Sequence, residues 1–265
     1  MRSTAPALLL LLGLLLTSCG APRLDTKPTS PSDPQPAPPR EEPKDPLAAL
    51  RPWQDKLHHD DRLPDKPVVE ADLNLTAVAD GDLTALRHLP ALHTLRLHAT
   101  LVGDAGMEHL RELKQLRSLD LSESQVTGAG LVHLQGLTEL RWLNLARVPV
   151  QNGGLAFLKG LTNLENLNLH ATEIGDEGLE HLRGLTRLRE LRIDDNRIGD
   201  AGLVHLQGMK ELETLYLQQT RVSDAGLAHL KGLPRLRKLY LADTDVTDAG
   251  VQELQKALPE LKVER

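Results

Sequence analysis

A row of histidines is the first feature of this sequence that could do chemistry. His109, His133, His181, His205 and His229 recur at 24 residues or a multiple of 24, each on the face of a short helical stretch opposite its apolar residues. One zinc ion holds its imidazole nitrogens at about 2.1 Å. Neighbouring helices stand about 8–10 Å apart, so two rings would have to lean together, and neither a cysteine nor a clear carboxylate completes a set. No metal is expected there, because duplication of one unit explains the row. His58-His59-Asp60-Asp61 carries metal-binding atoms too, and reads as a solvated charge run. His170, Arg192 and Asp194 contain the groups of an acid–base set, but only by selection from many polar positions. The sequence has no nucleophile elbow, H-E-x-x-H, phosphate loop or dinucleotide fingerprint. It therefore predicts no catalytic residues, no cofactor and no enzyme.

The elements that must position these side chains come from one repeating unit. The copy at Leu212 reads LETLYLQQTRVSDAGLAHLKGLPR, and equivalents begin at Val68, Leu92, Leu116, Leu140, Leu164, Leu188 and Leu236. These make eight 24-residue copies, the first degenerate and the last one residue longer. Self-similarity at such a period means a solenoid. With five aromatic residues in the chain, leucines stacked from coil to coil must supply the core. Leu-x-x-Leu-x-Leu alternates as a short strand does, so stacked copies predict one parallel sheet. Thr76, Thr100, Ser124, Thr172, Thr220 and Thr244, with Asn196 at the same place, follow the strand and are expected to bond the backbone of adjacent turns. Asp104, Asp200, Asp224 and Asp248 are expected to cap a helix of about seven residues. Gly136, Gly160, Gly184, Gly208 and Gly232 are expected to end it in the left-handed conformation. Strands pack about 4.8 Å apart and helices about 8–10 Å, so the sheet must take the inner side of a curve.

The fold class that follows is an α/β solenoid, a curved horseshoe with its parallel sheet concave and its short helices convex. The pattern Leu-x-x-Leu-x-Leu-x-x-Thr-x-Val-x-Asp-Ala-Gly-Leu resembles the leucine-rich repeat family, specifically the short-helix repeats of ribonuclease-inhibitor-like and F-box-associated types. The resemblance covers about three quarters of the chain. Thr replaces the usual Asn, and no F-box region precedes the repeats, which argues against a ubiquitin-ligase role.

The repeats act as an internal alignment, and positions that vary between copies stand out. Residues flanking the strand leucines point to the concave side and are heterogeneous: Trp142, Asn144, Asn168, His170, Arg192, Asp194, Tyr216, Lys238 and Tyr240. Aromatics and arginine on a rigid exposed face are what interface hot spots are made of, so these nine predict a ligand-binding surface. The plainer reading is a set of solvated strand positions whose aromatics pair across strands. The fourth copy breaks the pattern, with Val148-Pro149 for the Thr turn, Asn152 for Asp and Phe157 for His. That is either a functional kink or a degraded repeat with compensating apolar packing.

Ahead of the repeats the sequence changes character. Arg2, the apolar run Ala5 to Leu16 and small residues Thr17 and Ser18 read as a signal peptide over 1–18, too short to span a bilayer. Leu16-Thr17-Ser18-Cys19-Gly20 resembles the lipobox of bacterial lipoproteins, which implies that Cys19, the single cysteine, is lipidated. An ordinary secretory signal with an incidental cysteine is the alternative. Gly20 and Ala21 contain no inner-membrane-retaining aspartate, so in a cell with two membranes the resemblance implies the outer one, facing periplasm or surface. Residues 19–46 are proline-rich and predict a disordered tether; extended at about 3.1 Å per residue it reaches up to about 90 Å. Residues 47–67 place Leu47, Leu50, Trp53 and Leu57 at helical spacing and predict an N-terminal cap, with the repeat domain over 68–265. A net charge of −6 with interspersed signs is no nucleic-acid footprint. The expected partners are a protein on the concave face and a membrane through the lipid anchor. A structural envelope role or binding of cell-wall glycan, with Trp142, Tyr216 and Tyr240 as stacking platforms, is the alternative.

Overall fold

The computed structural model describes residues 45–265; the signal peptide, Cys19 and nearly all of the tether lie outside the described residues. Ten strands form one sheet in sequence order: β1 (Leu57–His59), β2 (Val68–Asp72), β3 (Thr94–Arg96), β4 (Ser118–Asp120), β5 (Trp142–Asn144), β6 (Asn166–Asn168), β7 (Glu190–Arg192), β8 (Thr214–Tyr216), β9 (Lys238–Tyr240) and β10 (Lys262–Glu264). Every pair from β2 onward is parallel, in a register offset of one repeat. The sheet does not close, and it forms the concave wall of an α/β horseshoe. The central strand leucines, Leu95, Leu119, Leu143 and Leu215 among them, are fully buried, so each coil is held by its neighbours rather than by a common centre.

The first coil is covered by a 3-10 helix over Ala48–Lys56, broken at Trp53 and containing Pro52, and by β1, which pairs antiparallel with the open edge of β2. Leu50 is buried beneath it, with Leu47 and Trp53 packed alongside. Covering a sheet edge in this way removes a template for pairing with other chains. At the far end α6 (Asp248–Ala257) and β10 close the stack. Between the ends lie α1 (Asp104–Met107), α2 (Gln151–Gly154), α3 (Asp176–Leu179), α4 (Asp200–Leu203) and α5 (Asp224–Leu227). Each has four residues and continues as a 3-10 turn. Such lengths cannot persist alone.

Three local expectations are corrected by the structure. First, the aspartates do not cap their own helices. The N-caps are Gly103, Gly199, Ser223 and Thr247 in extended conformation, and each aspartate is the first helical residue. From there five carboxylates reach the next coil: Asp80 and Asp176 accept from the Gly103 and Gly199 N–H at 2.7 Å, and Asp104 accepts from the N–H and the hydroxyl of Thr127 at 2.7 and 2.6 Å. Asp200 accepts from both the N–H and the hydroxyl of Ser223 at 2.7 and 2.6 Å, and Asp224 does the same with Thr247 at 2.8 and 2.6 Å. The carboxylate serves the unpaired N–H at the start of the following helix, where an anion is also favoured electrostatically. This explains the glycine two residues on in the motif: a Cβ on Gly106 would lie 2.6 Å from the Asp80 carboxylate of the previous coil.

Second, no glycine among the described residues has positive φ. One left-handed residue per coil follows the strand, Leu75, Ala99, Glu123, Arg147, Ala171, Asp195, Gln219 and Asp243, with φ of 52–60°, and Lys66, Gln151 and Glu173 add three outside that position. A side chain there costs roughly 1–2 kcal/mol. The conformation aims the N–H at the next coil, as in Ala171 N–H to Asp194 O at 3.1 Å and Asp195 N–H to Gln218 O at 2.9 Å. Third, the turn hydroxyls bond within their own coil, Thr100 to Leu97 O and Thr172 to Leu169 O at 2.8 Å, for example. Asn196 alone among these turn residues bridges two coils. Its amide donates to Leu169 O at 2.7 Å, and its oxygen accepts from Thr172 N–H and Ile174 N–H at 3.1 Å.

Coil four departs for a covalent reason. Leu101, Gln125, Arg197, Arg221 and Asp245 each donate an N–H to the valine or isoleucine of the preceding coil at 2.8–3.0 Å; Pro149 stands at that position and has none to give. Gly128 occupies the aspartate position before it, and a Cβ there would collide with the Val150 carbonyl. Gly128 N–H instead donates to Pro149 O at 3.1 Å. Val148 and Val150 are buried in compensation.

Candidate functional site

The parallel register sorts the concave side chains into rows. One runs Thr94, Ser118, Trp142, Asn166, Glu190, Thr214, Lys238 and Lys262; the next runs Asp72, Arg96, Asp120, Asn144, Asn168, Arg192, Tyr216, Tyr240 and Glu264. Two residues beyond the second row in each coil come Asn74, His98, Ser122, Ala146, His170, Asp194, Gln218 and Ala242. The sequence-predicted residues fall in all three rows: Trp142 and Lys238 in the first, His170 and Asp194 in the third, the other five in the second.

Five of the nine converge. His170 Nδ1 lies 2.7 Å from one oxygen of Asp194. The other oxygen of Asp194 is 3.8 Å from Arg192 Nε, too long for a hydrogen bond. Both atoms are buried without a hydrogen-bond partner, as is Gln218 Oε1. The Arg192 guanidinium lies 4.4 Å above the ring of Tyr216, whose other face stacks on Tyr240 with centroids 4.4 Å apart and planes within 1°. The result is a continuous chain from His170 through Asp194, Arg192 and Tyr216 to Tyr240, across four adjacent strands. Burial raises the Tyr216 phenol above its ordinary value, with Glu190 and Tyr240 adding and Arg192 opposing. The phenol is therefore a protonated donor at neutral pH.

The other four do not join. Trp142, 36% exposed, sits three strands from β8, roughly 14 Å away at about 4.8 Å per strand. Asn144 and Asn168 turn their oxygens onto the N–H groups of Ala146 and His170 at 3.1 and 3.0 Å, so part of their role is to shape the strand ends. Lys238 is exposed on β9, in register with Lys262. Sequence reasoning missed Gln218 and Glu190 in the cluster, and Arg96, His98, Asp120 and Ser122 towards the N-terminus. Writing out the row that contains His170 and Asp194 would have found Gln218.

A histidine oriented by a carboxylate is half of an acid–base apparatus, but its row neighbours here are Ala146 and that carboxylate, Asp194, rather than a nucleophile. The histidines of the convex row are half-buried, and among the described residues no three metal-ligating side chains gather.

Together these features define an open repeat solenoid with one continuous, uncovered sheet. The leucine rich repeat family model matches residues 90–147 and 186–246, and the fold is that of a leucine-rich-repeat solenoid. It is similar to internalin C2 of Listeria monocytogenes, at 28% identity, 70% of this chain, 73% of that one and a TM-score of 0.56. It also resembles the internalin InlF of the same species in fold, at 19% identity and a TM-score of 0.55, over 74% of this chain and 60% of that one. No curated protein sequence matches the chain. In all, 449 chains of solved structure do, so the architecture alone does not select a function.

Proposed function

We propose that the chain is a non-enzymatic interaction module that binds a protein partner on its concave sheet and is held at the bacterial cell envelope, at the outer membrane where there are two, through lipidated Cys19. The observation that carries the reading is the chain of side chains from His170 to Tyr240, because large aromatics and a stacked arginine on rigid strands offer contact area at low entropic cost. The envelope assignment rests on the lipobox-like sequence around Cys19; stable anchoring takes more than one acyl chain. Against the glycan alternative stands the stacking itself. A sugar needs an open ring face, whereas the two faces of Tyr216 are taken by Arg192 and Tyr240, which leaves its edge and hydroxyl for a partner.

Crosslinking capture from native envelopes tests the reading, with the full-length chain compared with its Trp142→Ala, Tyr216→Ala, Tyr240→Ala triple variant. A protein captured by the wild type and absent from the triple variant is the expected result. Equal capture by both removes the concave face from the proposal. The Cys19→Ser chain is expected to leave the membrane fraction.

A further inference from the structure

Arg192 differs from the other arginine of its row in what its terminal nitrogens do. Arg96 is held by the carboxylates of Glu70 and Asp72. Arg192 is held through its face by Tyr216 and has the Asp194 carboxylate 3.8 Å from its Nε, an ion pair without a hydrogen bond, while among the described residues no acceptor lies within hydrogen-bond reach of its two Nη groups. Asp194 lies on the Nε side of the guanidinium with one of its oxygens engaged by His170, so it offsets part of the charge and leaves the Nη edge for an incoming acceptor. A guanidinium oriented from two sides with its fork unspent is preorganised for a carboxylate, which it can take in two parallel hydrogen bonds.

A second observation points the same way. Lys238 and Lys262 are directly opposite on β9 and β10, both exposed, and neither has a carboxylate within ion-pair distance among the described residues. Like charges facing each other across strands are destabilising, whereas neighbouring cations elsewhere are paired, Arg189 with Glu213 and Arg237 with Glu260. Lys238 shares its strand with Tyr240, so the unpaired cations flank the stacked rings on the side away from Arg192.

We infer that the C-terminal half of the concave face is a receptor for an acidic segment of a protein partner, with Arg192 clamping one carboxylate, Lys238 and Lys262 attracting others, and the hydroxyls of Tyr216 and Tyr240 donating between them. The inference rests on the concave-face reading above and adds the chemistry of what binds there.

The chain has two tyrosines, both in the site, so selective 13Cζ-tyrosine labelling of the full-length protein gives two NMR signals that report on it. Titration with hexaglutamate is expected to shift both signals saturably, and less so as salt is raised. Hexaglutamine and hexalysine are expected to leave them in place. Arg192→Gln should weaken hexaglutamate at least about tenfold, and Arg192→Lys should fall between, since it keeps the charge and loses the fork. Val204→Ala, at an exposed position outside the concave rows, should change nothing, and the tyrosine signals of each unliganded variant show whether the stack has survived. Absence of any shift, equal shifts with hexaglutamine or hexalysine, or unchanged affinity in an Arg192→Gln chain that keeps its stack would overturn the inference. Partner capture that needs the concave aromatics, together with failure of hexaglutamate, would leave the concave reading standing and remove only this one.

Discussion

The two halves of the concave sheet use the same repeat positions to opposite ends. Around β3 to β5 the polar groups satisfy one another: Arg96 lies between Glu70 and Asp72, His98 meets Ser122 at 2.9 Å, and Ser122 in turn bonds Asp120 and Asn144 at 2.6 and 3.2 Å. Around β7 to β9 the equivalent positions hold an arginine with free terminal nitrogens, a carboxylate oxygen and an amide oxygen without partners, and two tyrosines stacked on each other. Buried polar atoms are ordinarily paired, so a set left unpaired in one half and paired in the other is a local property and not a feature of the scaffold. In a repeat protein each copy is a control for the rest, and departure from it marks where a surface should be tested for use.

The sharpest way to break this contrast is to substitute both arginines and read both binding and stability. Arg192→Ala should cost most of the partner binding, of the order of 2 kcal/mol or more as hot-spot truncations do, with little change in melting temperature. Arg96→Ala should leave binding alone and cost well under about 1 kcal/mol of stability, since its ion pairs are partly exposed and screened. The reverse pattern in capture and melting assays would erase the distinction. Asn196→Ala tests whether the C-terminal half is nonetheless firmly built. That amide serves two coils from a buried site, and leaving those backbone groups unpaired should cost about 1–3 kcal/mol, seen as a lower denaturation midpoint with the concave face intact.

The smallest effect concerns acid. Asp224 is held below its ordinary value, first by the Thr247 hydroxyl and then by the Thr247 N–H. A depressed carboxyl adds stability above the unfolded value of about 3.9, and loses it as pH falls through the folded value. Below about pH 4 the wild type should therefore lose melting temperature faster than an Asp224→Asn chain. Coil four already carries the amide, where Asn152 accepts from Gly175 N–H at 2.7 Å. Parallel acid profiles of the two chains would show that this carboxylate contributes nothing.

How far the sequence could be read depended on whether a contact lies within one coil or between two. The strand leucines and their concave neighbours were legible because alternation is a property of consecutive residues. The aspartates were assigned to their own helices because spacing alone does not distinguish an N–H two residues ahead from one 23 residues ahead, as Gly103 is from Asp80. The left-handed position escaped notice because its occupants, Leu75, Arg147 and Gln219 among them, share no composition. The glycines credited with it simply continue an ordinary turn. Within the site, residue types pointed to Arg192 and Tyr216, but only distances reveal that one lies on the other and that Arg96 is engaged where Arg192 is free.

The junction between coils three and four carries a consequence for the history of the array. Returning aspartate to position 128 would drive its side chain into the Val150 carbonyl, because Gly128 now lies against that backbone. Removing Pro149 alone would return an N–H able to meet the valine carbonyl of the coil before, as its counterparts do, and would leave position 128 without its carboxylate. That collision holds the irregular coil beside Trp142 against a return to the uniform repeat by substitution at position 128 alone.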